Sequence, residues 1–146
     1  MSYRYLDDET TVADAAFEAH GKSLEELFRE SWNATLGLMI ENPEALEPRE
    51  HPEIELSDRS AEMLLFSFLG ELLYLKDAHG GLYALDEVSV HRPEGKEDWR
   101  LRAKAAGEAI DSRRHRLGVD IKAVTLYAFS LWEQDDGWAA RVVVDT

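Results

Sequence analysis

Ala105-Ala106-Gly107-Glu108-Ala109-Ile110-Asp111-Ser112-Arg113-Arg114-His115-Arg116-Leu117-Gly118-Val119-Asp120-Ile121-Lys122-Ala123-Val124-Thr125 is the stretch on which the reading of this chain turns. It predicts a strand ending at Gly107 and Glu108, a charged turn around Asp111 and His115, and a new strand from Val119. Lys122 sits among Ile121, Ala123 and Val124, so this strand is expected to bury one lysine between apolar neighbours. The same pattern also allows a lysine on the solvent face of an edge strand. A functional lysine here is a cation placed to pair with carboxylates or with a partner's phosphate.

On either side of this stretch the period of the apolar residues is two. Leu82–His91, Trp99–Gly107, Val119–Glu133 and Trp138–Asp145 read as four strands, with turns between them. Asp136-Gly137 is a tight-turn dipeptide and makes the last two a hairpin. The N-terminal half is different. Ser2–Leu6 and Asp14–His20 read as strands around a polar loop. Ser23-Leu24-Glu25-Glu26 is a capping box that opens a helix whose stripe is Leu24, Leu27, Phe28, Trp32, Leu36 and Met39. Asn42-Pro43 stops it. Glu44–Pro52 is a surface loop and Glu53–Leu56 a brief strand. A second helix, capped by Ser57 or Asp58 and apolar on most sides from Met63 to Leu75, ends at a glycine near Gly81. This order predicts an α+β fold, with two helices on one face of a largely antiparallel or mixed sheet. The expected organisation is a single domain over residues 1–146.

Thirty acidic residues against 16 basic ones give a formal charge of −14. Tight direct binding to nucleic acid is therefore not expected, because phosphate neutralisation needs the opposite sign. The absence of cysteine excludes disulfides, thiol nucleophiles and cysteine-ligated zinc. No basic, apolar leader opens the sequence, and no apolar run approaches the roughly 20 residues that span a bilayer. A cytoplasmic protein without a membrane role is expected.

No phosphate loop, paired-histidine helix, EF-hand loop or nucleophile elbow is present. His20, His51, His79, His91 and His115 are scattered. The carboxylates offer more. Asp14 opens a strand, Asp145 nearly closes the last one, and Thr146 adds a carboxylate and a carbonyl. Should the strands at the two ends of the chain lie side by side, these oxygens would meet, and hard cations seek such oxygens.

Six segments together resemble the archease family across nearly the whole length. They are Val12-Ala13-Asp14; Ala19-His20-Gly21-Lys22-Ser23-Leu24-Glu25-Glu26; Leu69-Gly70-Glu71-Leu72-Leu73-Tyr74-Leu75; Gly107-Glu108 with Asp111 and His115; Ile121-Lys122-Ala123-Val124-Thr125; and Ala140-Arg141-Val142-Val143-Val144-Asp145-Thr146. The resemblance implies a small non-catalytic activator of the RtcB-type tRNA-splicing RNA ligase, which joins RNA ends through a guanylylated histidine. The activator promotes guanylylation and multiple turnover. The resemblance further implies a divalent cation at Asp14, Asp145 and Thr146. Calcium is the usual ion, with magnesium and manganese as the other choices. It also implies a functional lysine at Lys122. Two departures stand out. The family's Asp-His-Thr-Ala-Asp is here Thr10-Thr11-Val12-Ala13-Asp14, with acids shifted upstream to Asp7, Asp8 and Glu9. A Tyr-His pair is here Leu126-Tyr127. The competing functions are a small cation-dependent hydrolase using His115 or Lys122, and a general chaperone or scaffold with an acidic surface.

Overall fold

The structure, a computed structural model, describes residues 2–6 and 14–146. The acids expected to rim the first loop, Asp7, Asp8 and Glu9, lie outside the described residues. The strands are β1 (Ser2–Leu6), β2 (Asp14–Gly21), β3 (Glu53–Asp58), β4 (Gly81–His91), β5 (Trp99–Ala109), β6 (Ala123–Gln134) and β7 (Gly137–Asp145). The helices are α1 (Leu24–Met39) and α2 (Ala61–His79), with a short 3-10 turn at Pro43–Ala45. The α+β class is as expected, and every pairing among the named strands is antiparallel. The strands divide into two sheets, in the orders β1-β2-β7-β6 and β3-β5-β4.

The capping box works as its sequence says. Ser23 Oγ accepts the Glu26 amide at 3.1 Å. The Glu26 carboxylate reaches back one residue further than usual, accepting the Lys22 amide at 2.6 Å. One of the helix's orphan donors, the Glu26 amide, and the amide just before the cap are thus satisfied. Ser23→Ala is expected to lower stability by about 1 kcal/mol in a urea melt, without changing the slope of the transition.

The second helix starts later than Ser57 or Asp58 suggests, because both belong to β3. Ser60 is the cap, and its hydroxyl accepts the Met63 amide at 3.0 Å. Gly80, at φ 66°, closes the other end in the left-handed conformation that glycine takes without strain. The wide apolar surface of α2 has a simple cause: it packs on strands of both sheets, β6 on one side and β3, β4 and β5 on the other. Between the helices, Phe68 lies 4.9 Å from Trp32 and 5.7 Å from Phe28. Trp32 is fully buried, and its indole N–H donates to the Tyr83 carbonyl at 3.0 Å, so no polar atom of that side chain is stranded in the core.

The opening stretch departs most from expectation. No strand begins at Val119; β6 begins at Ala123, and Lys122, just before it, is exposed, as the solvent-face reading allowed and the buried one did not. The reason is that the backbone of this segment is engaged elsewhere. Helix α1 carries no basic residue in its last turn and no glycine at its cap, so its final carbonyls need partners. The Gly118 and Val119 amides supply them, donating to Met39 and Leu38 at 2.8 Å each. A Cβ at residue 118 would collide with the Leu38 carbonyl oxygen, so this approach requires glycine. A segment committed to capping a helix cannot also pair in a sheet.

No helix among the described residues is long and apolar enough to cross a membrane.

Candidate functional site

Strands β2 and β7 are neighbours, and their register sets Asp14 directly opposite Asp145. On the other side of β7, Asp145 faces Ala123, the first residue of β6. The preceding residue, Lys122, donates its amide to the Asp145 carbonyl at 2.8 Å. Asp14, Asp145, Thr146 and Lys122 therefore meet at one end of the four-stranded sheet. Phe17, Val142 and Val144 on one face and Ala16 and Val143 on the other are buried, so the two aspartates stand outside the core because they sit at the strand ends. Asp145 and Lys122 are exposed, while Asp14 and Thr146 are partly buried.

Like charges directly opposite on paired strands repel. Among the described residues, neither aspartate has an ion-pair partner, and the Lys122 ammonium is within 4 Å of neither. An uncompensated carboxylate pair with further oxygens from Thr146 suits a hard divalent cation, and it lacks the nitrogen and sulfur donors that zinc favours. No cluster of three or more acidic, histidine or cysteine ligands occurs among the described residues. Asp14, Asp145 and Thr146 thus offer part of a coordination shell.

What delivers Lys122 to this place is a chain of polar contacts along the opening stretch, buried at Glu108 and His115. Glu108, at the end of β5, is only 3% exposed. Its Oε1 accepts from Arg114 at 2.7 Å and faces Arg49 Nε at 3.2 Å. Its Oε2 accepts the Glu47 amide at 2.9 Å and meets His115 Nε2 at 3.0 Å. The Asp111 amide donates to His115 Nδ1 at 2.9 Å, so the ring proton sits on Nε2 and is given to Glu108. Arg114, together with the Glu47 amide, holds the Glu108 carboxyl down at about 2 from an ordinary 4.5. Asn42 adds a second clamp, donating to the Arg114 carbonyl at 3.0 Å and accepting the Arg116 amide at 2.7 Å. Further on, Lys76 Nζ on α2 donates to Asp120 Oδ1 and to the Ile121 carbonyl, both at 2.7 Å. This contact pulls the Asp120 carboxyl below its ordinary value, with Lys122 contributing in smaller measure. Residues 108–122 are pinned to β5, to the 42–49 loop, to α1 and to α2, and Lys122 emerges at the end of them.

The sequence located Asp14, Asp145, Thr146 and Lys122, and the structure brings them together. It also noted Glu108, Asp111 and His115, whose part is architectural: His115 is 2% exposed with both ring nitrogens engaged. Arg49, Asn42 and Lys76 were missed. Lys76 left a signal, as a lysine in the last turn of a mostly apolar helix, and Asn42 was read only as part of a helix stop; Arg49 left none.

The architecture and this site define a class: a small α+β domain of two antiparallel sheets with paired carboxylates and a lysine at one sheet end. Residues 3–146 match the model of the archease protein family (MTH1598/TM1083). The archease of Thermococcus gammatolerans is 34% identical over 135 residues, 92% of this chain and 93% of that protein. The archease of Pyrococcus furiosus is 35% identical over the same shares. Among solved structures, Methanobacterium thermoautotrophicum protein 1598 superposes with a TM-score of 0.82 at 28% identity, covering 99% of this chain and 98% of that one. A Thermotoga maritima protein described as an archease and possible chaperone gives 0.61 at 23% identity, covering 97% of each chain, a likeness of fold. The chain belongs to the archease family.

Proposed function

We propose that this protein is a non-catalytic activator of the RtcB-type tRNA-splicing RNA ligase, promoting the metal-dependent guanylylation of that enzyme and its multiple turnover. The observation that carries the reading is the convergence of Asp14, Asp145 and Lys122 from three separate parts of the chain onto one end of the four-stranded sheet. An acidic pair that can hold a divalent cation, with a lysine beside it, suits work on a metal-dependent phosphoryl-transfer site in another protein. Asp14, Asp145 and Thr146 would hold the cation, with calcium as the first choice. Its place of action would be the cytoplasm, where such a ligase meets tRNA. The net charge of −14 favours encounter with a basic surface and disfavours contact with the RNA itself.

The hydrolase alternative fares less well. It needs a free base or nucleophile; His115 is buried with both nitrogens taken, which leaves the exposed Lys122 as its one candidate. The test is the ligase's turnover with GTP. Sub-stoichiometric protein is expected to convert a single round of ligation into many, and Asp145→Ala to return the rate to that of ligase alone. Unchanged turnover with wild-type protein sinks the reading. Prevention of aggregation of unrelated clients, equal in wild type and Asp145→Ala, points instead to the general chaperone.

A further inference from the structure

Strand β6 is interrupted. Thr125 pairs with Val143 and Ser130 with Arg141, so residues 126–129 of β6 stand opposite Val142 alone. The interruption is held firmly. The Thr125 hydroxyl donates to the Val143 carbonyl at 3.1 Å, tying its near end to β7. Phe129 is buried and meets Phe66 of α2 edge to face at 5.5 Å, anchoring the far end. Between these anchors Ala128 adopts φ 55°, and no other described residue except glycine has a positive φ. Alanine enters that region only at a cost in backbone energy, and such strain persists where the surroundings impose it. The product is a protrusion that leaves Leu126 60% and Tyr127 69% exposed, the two most exposed large apolar side chains among the described residues.

A bulge on an edge strand has a modest use, blocking unwanted strand pairing. That use calls for a lysine or a proline at the tip, not for leucine and tyrosine. Tyrosine in particular is the kind of side chain that anchors protein interfaces, since it buries a large area with few rotors to freeze. The position is also specific. Ala123 faces Asp145 and Thr125 faces Val143, so the protrusion begins about 10 Å along the strand from the carboxylate pair.

The charge of the molecule selects what covers it. A second copy would bring −14 against −14, and RNA or an anionic bilayer would be repelled in the same way. A protein with a basic rim around an apolar pocket is attracted on both counts. We infer that Leu126 and Tyr127 form an apolar knob that seats in a basic-rimmed pocket of the partner enzyme, fixing the register in which Asp14, Asp145 and Lys122 are presented. This rests on the activator reading above and adds the surface by which the partner is held. Affinity comes from the knob, and the effect on the partner's chemistry comes from the acidic pair.

The experiment measures ligase affinity and guanylylation rate for wild type, Tyr127→Ala, Leu126→Ser/Tyr127→Ser and Asp145→Ala. The double variant is expected to weaken ligase binding about tenfold or more, with its melting temperature near that of wild type because both side chains are exposed. Saturating concentrations of it are expected to restore stimulation. Asp145→Ala is expected to do the reverse, binding the ligase while failing to stimulate it. Wild-type affinity in the double variant and in Tyr127→Ala overturns the knob and leaves the activator reading standing. Absence of binding and stimulation by wild-type protein overturns both. Should light scattering show a dimer that the variants abolish, or sedimentation show binding to phosphatidylserine vesicles that they abolish, with ligase affinity unchanged, another occupant covers the knob and the inference is wrong. If the double variant melts early, Tyr127→Ala decides alone.

Discussion

Glu108→Gln is expected to destabilise the protein more than any other single-charge change, lowering the melting temperature by roughly 10 °C. The two side chains have the same shape, so no cavity forms and the loss isolates the charge. Each carboxylate oxygen of Glu108 serves donors. Arg114 and Arg49 face Oε1, while the Glu47 amide and His115 Nε2–H face Oε2. A glutamine amide has one oxygen. Whichever way it turns, its –NH2 group points at donors and leaves them unsatisfied in a site that water scarcely reaches. The pH dependence provides the check. The folded-state pKa of Glu108 is lowered, to about 2, so protons bind the unfolded chain more tightly. The stabilisation is therefore fully present above the ordinary value of 4.5 and is lost as pH falls through about 2. Urea melts of wild type and Glu108→Gln should differ by a constant amount above about pH 5 and converge as the pH approaches 2. A gap that stays the same at pH 7 and pH 2.5, or no gap at pH 7, sinks this account.

The Glu108 cluster also shows where the amino-acid pattern stops informing. Local chemistry was legible because its cause is local. Ser23 caps α1, a glycine closes α2, and Asp136-Gly137 turns the last hairpin, each through contacts within a few residues. The meeting of Asp14 with Asp145 was legible only as a condition, since it depends on β2 lying beside β7. Periodicity reports which face of a strand is buried but not which strand lies next to it, so the division into two sheets left no trace. The start of β6 was misplaced for a related reason. Gly118 to Lys122 has the alternation of a strand, and nothing nearby reveals that the Gly118 and Val119 amides are spent on the carbonyls of Met39 and Leu38, far earlier in the chain. The protrusion at 126–129 was hidden by the same regularity, because apolar residues continue through it as though the strand were unbroken.

Calcium is expected to reverse the stability order of wild type and Asp145→Asn. In chelator the variant should be slightly the more stable, because removing one charge relieves the repulsion between carboxylates set opposite each other on β2 and β7. With calcium at 100 times its dissociation constant, wild type should gain about 2.7 kcal/mol, worth roughly 8 °C in melting temperature at this chain length, and the variant should gain little. Asp14→Asn should behave as Asp145→Asn does. The crossing of the two curves is the diagnostic feature. A protein of charge −14 gathers cations over its whole surface, and that diffuse effect raises every variant alike. Melts at fixed ionic strength separate the two, so an equal rise in all three proteins, or none in wild type, removes the cation from Asp14 and Asp145. The proposed preference for calcium can be checked as well. Two strand ends and Thr146 form an open, partly exposed set of oxygens, suited to the longer, looser coordination of calcium. Magnesium should therefore shift the curve less than calcium at equal concentration. Lys122 should not respond to the ion in kind: it is held by its amide to the Asp145 carbonyl, so Lys122→Ala keeps that bond, and with it the calcium-induced shift, while removing the ammonium proposed to act on the partner.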